Sequence, residues 1–592
     1  MSVNTSREDE RIEEGVKIDT IRRLSVYLKP YTKKILVVLL LMFIIVSIQL
    51  LNPYFLKLGI DHFIEGKDVK GLILLGIGMI ALNGAAMFCT KKRIRIMAEL
   101  SNEILMTIRQ ELYTHIQGLS LHFFDQRPVG KILARIMGDV NSLKDLFNSS
   151  VMNLIPDFMM MIAVVIIMLL MNYRLALVSF IMLPFLLLGM FLVESKAHKR
   201  WQIYRKKNSN MNAFVHEDFS GIRVVQGFAA EEKTAKNFDN LLNEHREAFI
   251  SAVKLNDLFW PMVEVSWGVG TIIVFWYGVR LLGTGTITVG LLVAFTGYLS
   301  MFWQPVMSLS NFYNILITNL AGAERIFEIL DIKPDIEDER EAKVLPMIQG
   351  EVTFGEVTFG YDPKDPVLID VSFQTRPGET IALVGPTGAG KTSIINLISR
   401  FYDVQKGAIF IDGYDVRDVT LESLRSQMGI MLQDTFLFSG TIEENIAYGK
   451  LGATKEEIIE AAKAVHAHEF IMKLEKGYAT KVNERGSRLS VGQRQLVAFA
   501  RTLLADPRIL ILDEATSSID THTEKLVQQG IERLLAGRTS FVIAHRLSTI
   551  QKADRILVID QGRIIEEGNH ETLMKEKGLY YDLFMAQFQQ II

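Results

Sequence analysis

A chain of 592 residues is too long for a single domain and suits two or three. Its net charge is only −3, with 22% charged and 49% apolar residues, so bulk electrostatics give no support to a nucleic-acid partner. The single cysteine, Cys89, excludes intramolecular disulfides and any zinc cluster built from cysteines.

The first twenty residues are charged and polar, without the apolar core and small-residue cleavage site of a signal peptide, and read as a solvated cytoplasmic tail. Apolar stretches of membrane length follow. A helix of about 20 mainly apolar residues crosses the ~30 Å hydrocarbon core of a bilayer. Such stretches fall at 35–55, 71–90, 146–171, 175–193, 259–282 and 288–313, predicting six spans. The first two carry no charge, Asn172–Arg174 separates the third from the fourth, and Gly283–Thr288 predicts a tight turn before the sixth. Soluble core helices rarely sustain such length without charge.

Arg22, Arg23, Lys29, Lys33 and Lys34 precede the first span, Lys91, Lys92, Arg93 and Arg95 follow the second, and Lys196, Lys199 and Arg200 follow the fourth. By the positive-inside rule these ends are cytoplasmic, which makes the chain a multi-pass cell-membrane protein with a cytoplasmic N-terminus. The segments between spans two and three and between spans four and five each exceed fifty residues and are rich in charged, helix-favouring residues. They should extend the membrane helices into the cytoplasm. The expected division is a transmembrane domain over 1–330, an acidic, proline-containing linker over 331–349, and a soluble α/β domain over 350–592. No repeat with a period of 20 to 50 residues and no low-complexity tract is visible.

The soluble domain opens on strand-like alternation at Gly350–Phe359. A strand-like run, Thr380–Val384, leads into Gly385, Pro386, Thr387, Gly388, Ala389, Gly390, Lys391 and Thr392, and a helix-like run begins at Ser393. This is the context a phosphate-binding loop requires. Its glycines let backbone N–H groups close around phosphate oxygens, Lys391 reaches the terminal phosphates, and the Thr392 hydroxyl can ligate Mg2+. Downstream, the apolar run Ile509–Leu512 delivers Asp513 and Glu514 to the edge of a sheet. The first carboxylate suits the metal and the second suits the water that attacks the terminal phosphate. Capping of the following helix is the bland alternative for Glu514.

Between these elements lies Leu489-Ser490-Val491-Gly492-Gln493. In this order the motifs resemble those of the ATP-binding cassette superfamily, whose signature pentapeptide usually has glycine where Val491 stands. Ser490 and the backbone around Gly492 open a helix, Gln493–Leu504, whose N-terminus suits an anion. The resemblance implies that this segment grips the terminal phosphate of ATP bound to an opposite cassette. It also implies that Tyr361 stacks on adenine, that Gln433 contacts magnesium and the attacking water, that Ser517–Asp520 crosses a dimer, and that His545 contacts the terminal phosphate. Ser518 and Ile519 stand where alanine and leucine are common.

The membrane half is similar to exporters of the same superfamily. Phe124, Asp125, Gly130, Arg135, Asp139 and Val140 match a first coupling segment near 124–140, and Val225–Phe228 with the charged helix after it matches a second near 225–239. Glu484–Gly486 is similar to the segment that meets these loops. The implied protein is a half-transporter of the bacterial multidrug or lipid exporter type: a six-helix transmembrane domain with long cytoplasmic extensions, followed by an α/β P-loop nucleotide-binding domain. Its ATP- and Mg2+-dependent hydrolysis needs two cassettes. With every catalytic element in one chain, a homodimer is favoured over pairing with a second half-transporter; Val491 leaves a weakened site in a heterodimer open. Methionines and aromatics at 158–161, 259–277 and 301–303 suit amphipathic or hydrophobic cargo, drugs or lipids, although lipid-facing packing explains most of them equally well. Asp157 and Glu264 stand either at the membrane interface or against substrate. A peptide or toxin exporter is an alternative, but no cysteine-protease-like domain precedes the spans. An ATP-gated channel or regulator is another, against which Glu514 and His545 argue.

Overall fold

The computed structural model describes residues 18–147, 152–431, 435–483, 486–513, 521–543 and 547–588. The chain forms two compact units, residues 1–116 with 130–332 and residues 117–129 with 333–592.

The first unit is helical. Among the described residues five helices are long and apolar enough to cross a membrane: Asp19–Ile64, Val69–Gly118, Met152–Met171, Tyr173–Ser220 and Pro261–Gly283. The sixth expected span falls on the helix Val289–Leu330, whose short apolar stretch is Val289–Trp303. The second, fourth and sixth helices run far past the length a bilayer needs, as the charged segments between the spans predict.

The expected fourth span, 175–193, is not one uninterrupted helix. It begins as Tyr173–Ser179, capped by the Asn172 side chain on the Leu175 N–H, and restarts as Met182–Ser220. Pro184 has no N–H to donate to the carbonyl of Phe180, so the hydrogen-bond ladder breaks there and the Leu183 N–H takes that carbonyl instead.

Several polar groups inside the apolar bundle are paired across helices, which a medium without water favours. Asn52 and Asn83 exchange amide hydrogen bonds of 3.3 and 3.0 Å between the first and second spans. The Tyr298 hydroxyl donates to the Leu50 carbonyl at 2.8 Å. Next to it a Cβ on Gly297 would stand 3.3 Å from Pro53, so the first and sixth helices touch at their smallest side chain. At the end of the first helix Asp61 accepts from the Thr288 hydroxyl at 2.6 Å and from the Gly290 N–H at 2.8 Å.

Asp139 accepts from two arginines. It accepts a two-pronged bond from Arg325, at 2.5 and 3.0 Å, and a third from Arg135 at 2.9 Å. Gly322 lets the helices close, since a Cβ there would lie 2.6 Å from the Ser142 hydroxyl. Asp139 is 9% exposed, so its two guanidinium partners would lose their counter-charge in a place water reaches poorly. Asp139→Ala is expected to destabilise the unit by about 3 kcal/mol, read as a lower melting temperature in detergent; an unchanged transition would mean that water already screens the cluster.

The second unit is α/β. Four antiparallel strands pair in the order β2-β1-β4-β5: β1 (Val352–Phe359), β2 (Leu368–Gln374), β4 (Lys406–Ile411) and β5 (Tyr414–Asp415). A six-stranded sheet runs β12-β11-β3-β10-β9-β6: β3 (Thr380–Val384), β6 (Met428–Met431), β9 (Ile509–Asp513), β10 (Thr539–Ile543), β11 (Arg555–Asp560) and β12 (Arg563–Gly568). All but β12 are mutually parallel and nearly continuously apolar, as strands covered on both faces must be. The pair β7 (Gly440–Thr441) and β8 (Lys481–Val482) belongs to a mainly helical part inserted between β6 and β9. There Leu496, Val497, Phe499 and Ala500 of the helix Val491–Leu504 share a core with Ile442, Ile446 and Ile458.

Candidate nucleotide site

Parallel register creates the site. Leu383 of β3 pairs with Ile543 of β10, Ile543 with Asp513 of β9, and Leu512 of β9 with Met431 of β6. The carboxyl ends of four strands are therefore level, and the phosphate loop leaves the sheet at this edge after Val384. Open parallel sheets bind ligands at this edge.

The loop is built as its sequence demands. Gly388 and Gly390 both have positive φ, 88° and 106°. A Cβ on Gly390 would also stand 2.6 Å from Leu368 Cδ2, so both conformation and space require glycine. Ala389 is buried beneath the loop while Pro386, Thr387, Gly388 and Thr392 are exposed, leaving the phosphate-facing surface open to solvent. The helix Lys391–Ile398 starts directly behind it and directs its N-terminus at the loop. Lys391 folds back across the opening, with Nζ donating to the Gly385 and Pro386 carbonyls, each at 2.8 Å. Burial lowers the pKa of this ammonium from its ordinary value, and nearby Asp513 opposes that shift. A cation held partly out of water gains most from an incoming anion.

That electrostatic contact also places an oxygen anion close to the loop. The Asp513 carboxylate and the exposed Thr392 hydroxyl are oxygen donors of the kind a hard divalent cation takes.

Tyr361 stands two residues past β1 and is 40% exposed. Its hydroxyl accepts from Ser393 at 3.3 Å and from Asn396 at 3.2 Å, which ties the ring to the helix behind the phosphate loop. Tyr402 packs edge-on against it, with ring centroids 5.0 Å apart. Nothing in the sequence singles out Tyr402. Its hydroxyl donates to Asp125, on the short helix Leu121–Gln126, and burial together with that carboxylate raises its pKa. The stretch expected to be a second coupling segment holds the helix Ile222–Gly227, an exposed Phe228 and the charged helix Glu231–Asn256.

Ser490 caps the helix Val491–Leu504. Its hydroxyl accepts from the Gln493 N–H at 3.2 Å, and the Gln493 side chain accepts from the Ser490 N–H at 3.0 Å. This reciprocal cap occupies the Gln493 side chain, so in this arrangement its amide serves the helix end. Gly492 is buried, whereas Val491 is 39% exposed and directs its isopropyl group outward. Gln433, Glu514, Ser517–Asp520, His545 and the Glu484–Arg485 pair lie outside the described residues.

Comparison with known proteins agrees with this architecture. The family model of the ABC transporter transmembrane region matches residues 35–306, and that of the ABC transporter matches residues 368–517. The chain belongs to the ABC transporter family, as an exporter-type half-transporter in which one membrane domain and one ATP-hydrolysing cassette are fused. It is 46% identical to the uncharacterised ABC transporter ATP-binding protein YknV of Bacillus subtilis (strain 168), over 99% of this chain and 97% of that protein. It is 37% identical to the ATP-dependent lipid A-core flippase of Syntrophus aciditrophicus (strain SB), over 100% of this chain and 98% of that one. The solved structure of a bacterial Atm1-family ABC exporter with ATP bound superposes with a TM-score of 0.77 at 29% identity, covering 96% of this chain and 99% of the other. The protein is thus a multi-pass cell-membrane protein with a cytoplasmic nucleotide-binding domain.

Because Lys391 brings an ammonium to the loop mouth, Lys391→Ala is expected to weaken ATP binding by about 2–3 kcal/mol, roughly a hundredfold. Titration with a fluorescent ATP analogue checks this, and unchanged affinity would remove Lys391 from the site.

Proposed function

We propose that two copies of this chain form an outward pump for amphipathic or hydrophobic compounds, lipids or drugs. The observation that supports the reading is the level carboxyl ends of β3, β10, β9 and β6 beside the phosphate loop and Lys391. In this reading Gly385–Ser393 cradles the phosphates and Tyr361 supports the adenine. The other cassette's Ser490, Val491 and Gly492 close over the terminal phosphate with backbone N–H groups and a helix N-terminus. Asp520 lines the junction between the cassettes.

Glu514 accepts a proton from the attacking water, Gln433 orients that water, and His545 stabilises charge on the terminal phosphate. Thr392, Gln433 and Asp513 would hold Mg2+, which offsets phosphate charge when bound. ATP draws the cassettes together, and loss of the terminal phosphate releases them. The coupling segments near 124–140 and 225–239 carry that motion to the spans. The lipid A-core flippase among the relatives supports a lipid-like cargo, as do the adaptable methionine and aromatic surfaces of the bundle.

Glu514→Gln should leave ATP affinity unchanged and reduce turnover by at least about a hundredfold. In inside-out vesicles, ATP should drive a fluorescent lipid or dye inward for the parent protein and not for this variant. Transport of labelled peptides alone would overturn the cargo, and movement out of the vesicles would overturn the direction.

The homodimer has its own test. The protein expressed alone should run as an ATPase-active dimer, and turnover that appears only with a second half-transporter would select the heterodimer. Val491→Gly should alter turnover little, because the valine side chain points outward; a marked rise would identify a weakened site.

A further inference from the structure

The first unit ends at Ile332, where the chain passes into the linker and the cassette. Its last two residues are each held by a different helix. Arg23, on the helix Ile18–Leu28, forms a two-pronged bond with Asp331 at 2.6 and 2.8 Å. His115, near the end of the helix Val69–Gly118, donates from Nε2 to the Ile332 carbonyl at 3.0 Å.

An exposed ion pair by itself stabilises little, because water screens it. Arg23 is fixed by more than charge. Its guanidinium lies 4.3 Å from the ring centroid of Phe327, a buried residue one helical turn before Asp331. Tyr27 stacks on the same ring, with centroids 6.4 Å apart and planes 20° from parallel, and its hydroxyl donates to Glu111 at 2.7 Å. Glu111 and His115 stand one turn apart on one helix face, so groups from two helices enclose Asp331 and Ile332. Past the turn Lys29–Tyr31, Lys34 donates to Glu103 at 2.8 Å and ties the start of the first span to that second helix as well. A planar guanidinium with two parallel bonds and an aromatic support is held in one orientation.

We infer that Arg23, Tyr27 and His115 form a junction that passes movement of the linker root directly to the first and second spans, given the proposed closure of two cassettes on ATP. A moving cassette pulls through the linker on Asp331 and Ile332. The junction hands that displacement to the helices Thr32–Leu58 and Val69–Gly118, which carry the two spans. None of its residues lies at 124–140 or 225–239, so this route is separate from the expected coupling segments. Arg23 is a positioning residue that acts through Asp331.

A fluorescent label at the far end of the first span reads the transmission, in the full-length protein in lipid nanodiscs. Since Cys89 is the only cysteine, Cys89→Ala with Ile64→Cys gives one thiol, at an exposed position, for a bimane label. A non-hydrolysable ATP analogue with magnesium should shift the bimane emission in this parent. Arg23→Asp should abolish the shift with the affinity for a fluorescent ATP analogue unchanged, and adding Asp331→Arg should restore it. Arg23→Gln, which removes the charge without reversing it, should also diminish the shift. A purely structural pair would lower the melting temperature and leave the shift in place. A shift that survives in Arg23→Asp, or that the double reversal does not restore, overturns the junction. A second label at Phe228→Cys, exposed in the expected second coupling segment, separates the two ways of failing. A shift there without one at residue 64 overturns the junction alone, whereas silence at both, with the analogue bound, overturns the proposed closure and the junction with it. No cargo is added, so the result is independent of which compound is transported.

Discussion

The cassette depends on the parallel pairing of β3, β10, β9 and β6. Parallel strands cannot be joined by tight turns, so each connection leaves and returns through helices, and strands far apart in the chain end side by side. Hydrogen-bond register then sets their relative height. A slip of one residue between β9 and β10 would move Asp513 out of line with Ile543 and turn the strand's apolar faces over. The strands are apolar on both faces, so what opposes such a slip is Asp513, whose carboxylate would be drawn into the apolar sheet.

On this rigid edge the local chemistry is specialised by backbone form. The phosphate loop uses left-handed glycines, one of them, Gly390, where a side chain would strike Leu368, and a helix N-terminus stands directly behind it. The signature segment uses a different device, a reciprocal Ser490–Gln493 cap that fixes where the helix Val491–Leu504 begins. Both leave backbone N–H groups oriented toward an anion. Tyr402 then links this chemistry to the rest of the unit, since one phenol ring touches Tyr361 while its hydroxyl holds Asp125.

The membrane half obeys a different solvent. Where water is absent, each polar group needs a protein partner, and the Asn52–Asn83, Tyr298–Leu50 and Asp61–Thr288 contacts answer that need. They also join the first helix to the second and sixth at particular heights, a specificity that apolar packing between lipid-like surfaces does not provide. In the cytoplasmic extensions water returns, and charge takes over as the specific contact at Asp139.

Much of this was legible in the residues. Thr380–Val384 is the strand that precedes the phosphate loop, Ile509–Asp513 the strand that ends in a carboxylate, and the apolar stretches in the first half lie on long helices, because each signal is carried by neighbours in the chain. Composition and local pattern determined the α/β cassette, the membrane helices and the order of the nucleotide motifs. The break before Met182 was also written locally, in Pro184, but the apolar run around it conceals the fault. What tertiary structure alone decided are the contacts between distant positions: Tyr402 with Asp125, and Arg325 with Asp139. Such contacts depend on how elements pack, and packing is a property of surfaces brought together from separate parts of the chain, which no local pattern encodes.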